Sequence, residues 1–274
     1  MDSKKLKRIH KSRVLLKNPY AHVAGDEGQV DAILPPVVSA QEIRGANTLG
    51  SAYSQSQIEE IAKRCRKILW ERREQLGYPD ADPIQFTDPT IAFEAMGYEF
   101  DTVGSLGELI GANSEMAGFI DATNNRAKVS TRFPPNVQLF TAAHELGHAI
   151  LHDARGLGLH REINNDGTMQ FNKPPIEKQA DQFAAAFLMP ENLIRKQFIQ
   201  RFNTDCFTLN SDNMYGLTSS GQPQKFNSAR ELSRILAKAI RFHDRSFPSL
   251  VEFFKLSPEA VAIRIEVTGL INLD

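Results

Sequence analysis

From Ser54 onward, apolar side chains recur at the i, i+3, i+4, i+7 spacing of a single helix face: Ile58, Ile61, Ala62, Cys65, Ile68 and Leu69. Glu59, Lys63, Arg64, Arg66 and Lys67 fall largely off that stripe, so the pattern predicts an amphipathic helix with Cys65 as a small core residue. The Gly77-Tyr78-Pro79 turn ends it, and Asp88-Pro89 opens a shorter helix that carries Ile91, Phe93 and Met96 and closes at Gly97. Three short β-type runs follow, Tyr98 to Val103, Met116 to Ile120 and Ala127 to Thr131. The polar stretch Asp121 to Arg126 between the last two reads as a hairpin turn, so a small, mostly antiparallel sheet is expected. After Pro134-Pro135, helical periodicity returns over Val137 to Leu151, with Leu139, Ala142, Ala143, Leu146 and Ile150 facing the sheet. A further helix opens at Pro174-Pro175 and ends at Pro190, with Ala180, Phe183, Ala184, Phe187 and Leu188 on its core side.

The two ends of the chain are less regular. Asn18 to Asn47 is rich in Gly, Pro and Ala and reads as an extended lead-in, while residues 199–228 read as a polar loop or insertion. Ala229 to Phe242 reads as a helix, and Leu250 to Leu270 as a helix, a turn and a second helix, with Ser257 as cap, Pro258 in the first position and Gly269 as the stop. That last outline resembles helix-turn-helix DNA readers, but its second helix offers mainly Arg264 among apolar residues, so packing on the preceding domain or docking a substrate is the favoured role.

Composition narrows the partners. The 274 residues balance 32 Lys and Arg against 33 Asp and Glu, a formal net charge of -1, so no global field draws the chain to nucleic acid or membrane. A local basic arm, Lys4, Lys5, Lys7, Arg8, Lys11, Arg13 and Lys17, is the exception. Only Cys65 and Cys206 are present and no secretory leader pattern opens the chain, so a cytoplasmic setting is expected. No apolar run approaches the roughly 20 residues of a membrane helix, and no membrane partner is expected.

His144-Glu145-Leu146-Gly147-His148 is the stretch whose residue types specify a reaction. On a helix the two imidazoles share a face, roughly 6 Å apart along the axis, close enough to grip one ion. This is the HExxH arrangement of zinc peptidases, in which the intervening carboxylate, here Glu145, takes the proton from the attacking water. Gly147 weakens a helix by about 1 kcal/mol relative to alanine, and close backbone approach is the reason expected for it. His152 lies roughly 12 Å from His144 along a straight helix, too far to share the ion, and the metzincin spacing would need a histidine where Ala154 stands. The second helix offers Glu177 and Asp181, four apart on one face. Glu177 can complete a His₂Glu site with one position open, and Asp181 can accept the Nδ1–H of a ligating histidine. Cys206 is a further candidate, as a thiolate that blocks the open position and keeps the site latent. No oxyanion stabiliser can be assigned: Tyr215, His160 and His243 are candidates by chemistry alone, and a structural or surface role is the favoured reading of each.

The run from Leu139 to His152, followed by that from Glu177 to Pro190, resembles the ImmA/IrrE metallopeptidases, and the resemblance extends back to about Ile58 through the sheet containing Gly118-Phe119-Ile120-Asp121. The resemblance implies a gluzincin-like α+β peptidase holding one Zn²⁺ per chain through His144, His148 and Glu177, with Glu145 as catalytic base. Many relatives have asparagine where Asp181 stands; aspartate retains the acceptor and adds charge. Such peptidases typically cleave a helix-turn-helix repressor, switching on stress-response, mobile-element or phage-defence genes, so a repressor encoded nearby is the expected protein substrate. Single-stranded DNA acting through Lys4, Lys5, Lys7 and Arg8 is a possible activator, and a non-catalytic regulator that binds a repressor or DNA is the alternative reading. The expected organisation is a basic arm and lead-in at 1–53, the zinc metallopeptidase domain at 54–198, the polar insertion at 199–228 and a C-terminal helical segment at 229–274 that packs on the peptidase.

Overall fold

Among the described residues the first helix, α1 (Ala40–Arg44), begins where the Ser39 hydroxyl accepts a hydrogen bond from the Glu42 N–H at 3.1 Å, which places a helical turn inside the stretch read as an extended lead-in. The computed structural model describes residues 36–49, 52–107, 114–152, 159–164, 173–218 and 228–272, with the backbone alone at 114 and 159–164. The basic arm of residues 1–17 lies outside the described residues.

Helix α2 (Gln55–Glu71) opens on a reciprocal capping box: the Ser54 hydroxyl accepts from Gln57 N–H, and Gln57 Oε1 accepts from Ser54 N–H at 2.8 Å. Its buried stripe is Ile58, Ile61, Ala62, Cys65 and Leu69, as the periodicity requires. Burial pushes the Cys65 thiol up to about 12 against the opposing pull of Arg66, which leaves it an inert core residue. A 3₁₀ turn (Pro83–Thr87) leads into α3 (Pro89–Ala95), capped by Asp88 and closed at Gly97, whose φ of +77° is the left-handed geometry that glycine tolerates.

The sheet contains β1 (Glu99–Val103), β2 (Ser114–Asp121) and β3 (Arg126–Ser130), followed after α4 (Pro135–Leu151) by β4 (Leu159–Asn164). The spatial order is β1-β3-β2-β4, with β2 antiparallel to both neighbours and β1 parallel to β3. The hairpin expected between β2 and β3 is present. Asp121 Oδ1 accepts from the N–H groups of Thr123 and Asn124 at 3.0 Å each, and Asn125 takes a φ of +51°. The sheet is therefore mostly antiparallel, with β4 as an additional edge strand.

Helix α4 lies between this sheet and α5 (Pro175–Leu188), and every residue from Thr141 to Leu151 is buried. A helix covered on all sides needs no polar face, which explains why its hydrophobic periodicity is weak. Beyond it, α6 (Glu191–Phe202), β5 (Phe207–Thr208) and α7 (Ser211–Thr218) take up most of the described part of the stretch read as a polar loop, while 219–227 lie outside the described residues. Local caps organise this polar chain: Asn210 Oδ1 accepts from Asn213 N–H at 2.8 Å.

Helix α8 (Ala229–Lys238) is shorter than the periodicity suggested. Ala239 leaves helical geometry, and the chain turns into a small hairpin, β6 (Arg241–Phe242) and β7 (Arg245–Ser246), with His243 at φ +51°. The reason is the Phe242 ring, which is buried against Phe202 and Phe207 at centroid distances of 5.5 and 5.9 Å, whereas Ile240, expected on the apolar side, is 62% exposed. The expected helix–turn–helix follows as α9 (Leu250–Phe254) and α10 (Pro258–Val267), with Ser257 as cap, Pro258 in the first position and Gly269 at φ +64°; β8 (Ile271–Asn272) then pairs with β5.

Arg264, the basic residue singled out on α10, is 2% exposed. Its Nε donates to the Met189 carbonyl at the end of α5 at 2.9 Å, and its guanidinium forms a two-pronged ion pair with Glu59 on α2. It joins three helices and is not displayed for reading a base. Replacing Arg264 with alanine leaves Glu59 and the Met189 carbonyl without their shared donor, and is expected to cost about 3 kcal/mol, measured as a lower urea midpoint at unchanged m-value.

Candidate metal centre

The two halves of the site sit on α4 and α5, which approach so closely that side chains are excluded at the contact. A Cβ added at Gly147 would lie 3.2 Å from both Cα and the carbonyl oxygen of Ala180 and 3.3 Å from Cβ of Phe183. The expected reason for Gly147 is thus met. Arginines from elsewhere in the chain hold the C-terminal ends of both helices, where carbonyls lack partners and the dipole is negative. Arg44 on α1 donates to the Ile150 carbonyl at 2.5 Å, and Arg66 on α2 to those of Ala186 and Phe187 at 2.8 and 3.2 Å.

His144, Glu145 and His148 are fully buried, and Glu177 enters from the first turn of α5, the end whose dipole favours a carboxylate. His144 Nε2 lies 3.0 Å from His148 Nε2 and 3.0 Å from Glu177 Oε2, and His148 Nε2 lies 3.3 Å from Glu177 Oε1. Among the described residues, these three form a group whose donor atoms all lie within 4.8 Å of one another. Two imidazole nitrogens and a carboxylate converging in this way need positive charge between them, from a proton in the metal-free chain or from a cation. Burial pushes the Glu177 carboxyl up, but the imidazoles of His144 and His148 outweigh it and hold the group well below the usual carboxylate range. Burial lowers the His148 pKa, opposed by Glu177, and so favours the neutral imidazole that a metal requires. Two nitrogens and one oxygen match a zinc site with an open position.

The remaining ring nitrogens are also engaged. His144 Nδ1 lies 2.9 Å from Asp181 Oδ1, the orienting contact expected for Asp181, and Lys173 Nζ lies 2.6 Å from the other carboxylate oxygen. His148 Nδ1 lies 3.0 Å from Nδ1 of His152, whose Nε2 lies 3.0 Å from Gln179 Oε1. His152 is outside the donor group, as helix geometry requires, but its position beside His148 was not anticipated. The helix stops at Leu151 and His152 turns extended, while the i, i+4 spacing from His148 keeps the rings 5.1 Å apart. Burial, partly offset by Gln179, lowers the His152 pKa to about 4, so the ring is neutral near neutral pH.

Glu145 points to the sheet side of α4. A Cβ added at Gly118 on β2 would come within 2.5 Å of Glu145 Oε1, so the glycine leaves room for the carboxylate beside a register irregularity between Met116 and Gly118. Cys206 does not join the donor group: it precedes β5, where Phe207 N–H donates to the Leu270 carbonyl, and so belongs to the C-terminal elements. Tyr215 is 54% exposed on α7, and His243 sits in the β6–β7 turn with Nε2 3.8 Å from Asp212. His160 is on β4, opposite Phe119.

A buried HExxH helix crossed by a second helix that brings a glutamate defines a peptidase-type metal site. Residues 117–206, which contain both helices, match the family model of peptidase M78, the IrrE N-terminal-like domain. No curated protein and no solved structure matches the chain. The matched segment is thus similar to the IrrE N-terminal-like peptidase domain, and its His144, His148 and Glu177 fit a zinc site. Among the described residues, no helix is long and apolar enough to cross a membrane.

Since the helix contact at Gly147 sets the convergence of the donors, Gly147→Val is expected to force α5 away. Overpacking should lower stability by about 2 kcal/mol, and titration with a chelating indicator should show zinc affinity reduced at least roughly tenfold.

Proposed function

We propose that the chain is a zinc-dependent endopeptidase that cleaves a helix-turn-helix transcriptional repressor. The observation that carries the reading is the convergence of His144, His148 and Glu177 beside the buried carboxylate of Glu145. Zinc held by those three residues would supply Lewis acidity, polarising the scissile carbonyl and easing deprotonation of the attacking water. Glu145 takes that proton and returns it to the leaving amine. Gly118 leaves the space in which its carboxylate does so. Asp181, itself steadied by Lys173, orients His144 by accepting its Nδ1–H, which leaves Nε2 free to ligate. The repressor as substrate, and with it the induction of stress-response, mobile-element or phage-defence genes, is supported by the likeness of both helices to ImmA/IrrE peptidases.

The test is co-expression with the helix-turn-helix repressor encoded beside the gene, under inducing conditions. Cleavage is expected for the native chain and a loss of about 10²- to 10⁴-fold for Glu145→Gln, with zinc retained because Glu145 is not a ligand. Gly118→Ala, which pushes the carboxylate aside without touching a ligand, should also lower the cleavage rate while leaving zinc stoichiometry unchanged. Repressor binding without cleavage would instead favour a non-catalytic regulator.

A further inference from the structure

The two histidines of the donor group are supported by unlike partners. His144 is backed by a carboxylate, Asp181, which can only accept a hydrogen bond when ionised, and that carboxylate is in turn held by Lys173. Behind His148 stands a second imidazole, His152, 6% exposed, and behind it the amide of Gln179. Gln179 is on α5, the helix that also supplies Glu177 and Asp181.

Hydrogen-bond directions along this chain are determined from its outer end. Gln179 Oε1 is an acceptor, so the His152 Nε2 that faces it at 3.0 Å carries the proton. A neutral imidazole carries only one, so Nδ1 of His152 presents a lone pair to Nδ1 of His148, also 3.0 Å away. The two facing nitrogens need one hydrogen between them, and it must come from His148. His148 is then the Nδ1–H tautomer, and its bare Nε2 points at His144 Nε2 and Glu177. The opposite choice at Gln179, with its NH₂ toward the ring, would reverse every bond and place a proton on the nitrogen that has to ligate.

We infer that His152 and Gln179 are positioning residues for the metal centre, a neutral relay that fixes His148 in its ligating tautomer just as Asp181 does for His144. The inference deepens the zinc reading, since it assigns a role toward the same ion, but the proton it places on His148 Nδ1 is there with or without metal. Its place in the fold is consistent with that role. The relay runs from the end of α4 to α5, so the pair of helices that brings the ligands together also carries the group that orients one of them.

The experiment uses the full chain and two measurements. Imidazole ¹⁵N spectra should show a proton on Nδ1 of His148 in the native chain, with or without metal. In Gln179→Met, which has similar bulk but no strong acceptor, they should show a mixture of tautomers. Competition with a chelating indicator should then show zinc affinity lowered about 10- to 100-fold in Gln179→Met and in His152→Ala, and close to native in Gln179→Glu, which restores an acceptor. A structural role alone would not separate the Met and Glu variants at position 179. If His152→Ala does not fold, the two Gln179 variants decide the matter alone. A native Nδ1 proton and native affinity in Gln179→Met would overturn the inference, as would a His148 whose Nδ1 carries no proton in the native chain. Failure of the peptidase reading reads differently: zinc bound and the His148 tautomer as specified, with no repressor cleaved.

Discussion

Everything at the centre of this molecule depends on one contact, the approach of Gly147 on α4 to the backbone of Ala180 on α5. Ligands at bonds of roughly 2 Å to a common ion must come from backbones that are themselves close, and two ordinary helices packed at 8–10 Å hold their side chains apart by at least a Cβ on each side. Here one Cβ is missing and the other belongs to an alanine, with Phe183 filling the flank. The helix-propensity cost of Gly147, about 1 kcal/mol, is offset by the packing it allows. The same contact explains why α4 is apolar or small on so many sides: the sheet covers one face and α5 the other, so the polar side chains of its buried stretch are those of the site and Thr141.

The charges obey a similar economy. Glu177 stands at the positive end of α5, and the Arg44 and Arg66 guanidiniums stand at the negative ends of α4 and α5. Within the site the single formal charge among the three donors is that of Glu177, and the Asp181 carboxylate is balanced by Lys173 at 2.6 Å. Such a group is made tolerable by the directed partners of the two outer ring nitrogens and of the Asp181 carboxylate, since each one left unmatched costs on the order of 1–3 kcal/mol. The relay through His152 and Gln179 answers that requirement without adding another buried charge.

Much of this was legible in the sequence, and for identifiable reasons. The stripe of α2, the Ser257 cap and the Pro-initiated helices are local features, decided within a few residues, and they occur as read. The candidate donors His144, His148 and Glu177, with Asp181 behind them, were legible because metal chemistry constrains residue type and spacing together. The missed features come from contacts between distant segments. Helix α8 stops at Lys238 because Phe242 is drawn into a cluster with Phe202 and Phe207, which nothing near position 239 announces. Strand β4 contains His160, Arg161 and Glu162, with little apolar alternation to mark it. His152 was assessed only as a ligand, and on a continued helix; its actual role needs the helix to end at Leu151 and a partner, Gln179, on another element.

The match to the peptidase family ends at residue 206, yet the site does not end there. The guanidiniums that satisfy the ends of the two ligand helices come from Arg44, Arg66 and Arg264, all outside 117–206, as does Glu59, the partner of Arg264. Helix α10, which supplies Arg264, is itself tied to α8 by Arg230, which reaches Glu259 and Glu266 at 2.6 and 2.7 Å. The chain therefore divides the work between two kinds of residue. Those inside the matched segment supply the chemistry, and those outside it hold the C-terminal ends of α4 and α5. Because the donor atoms converge only while the two helices keep their spacing, the C-terminal helices bear on the donor group through α5, and none of their described side chains belongs to that group. Arg264 packs the C-terminal segment against α5 and α2, and its burial fits support more than the reading of DNA.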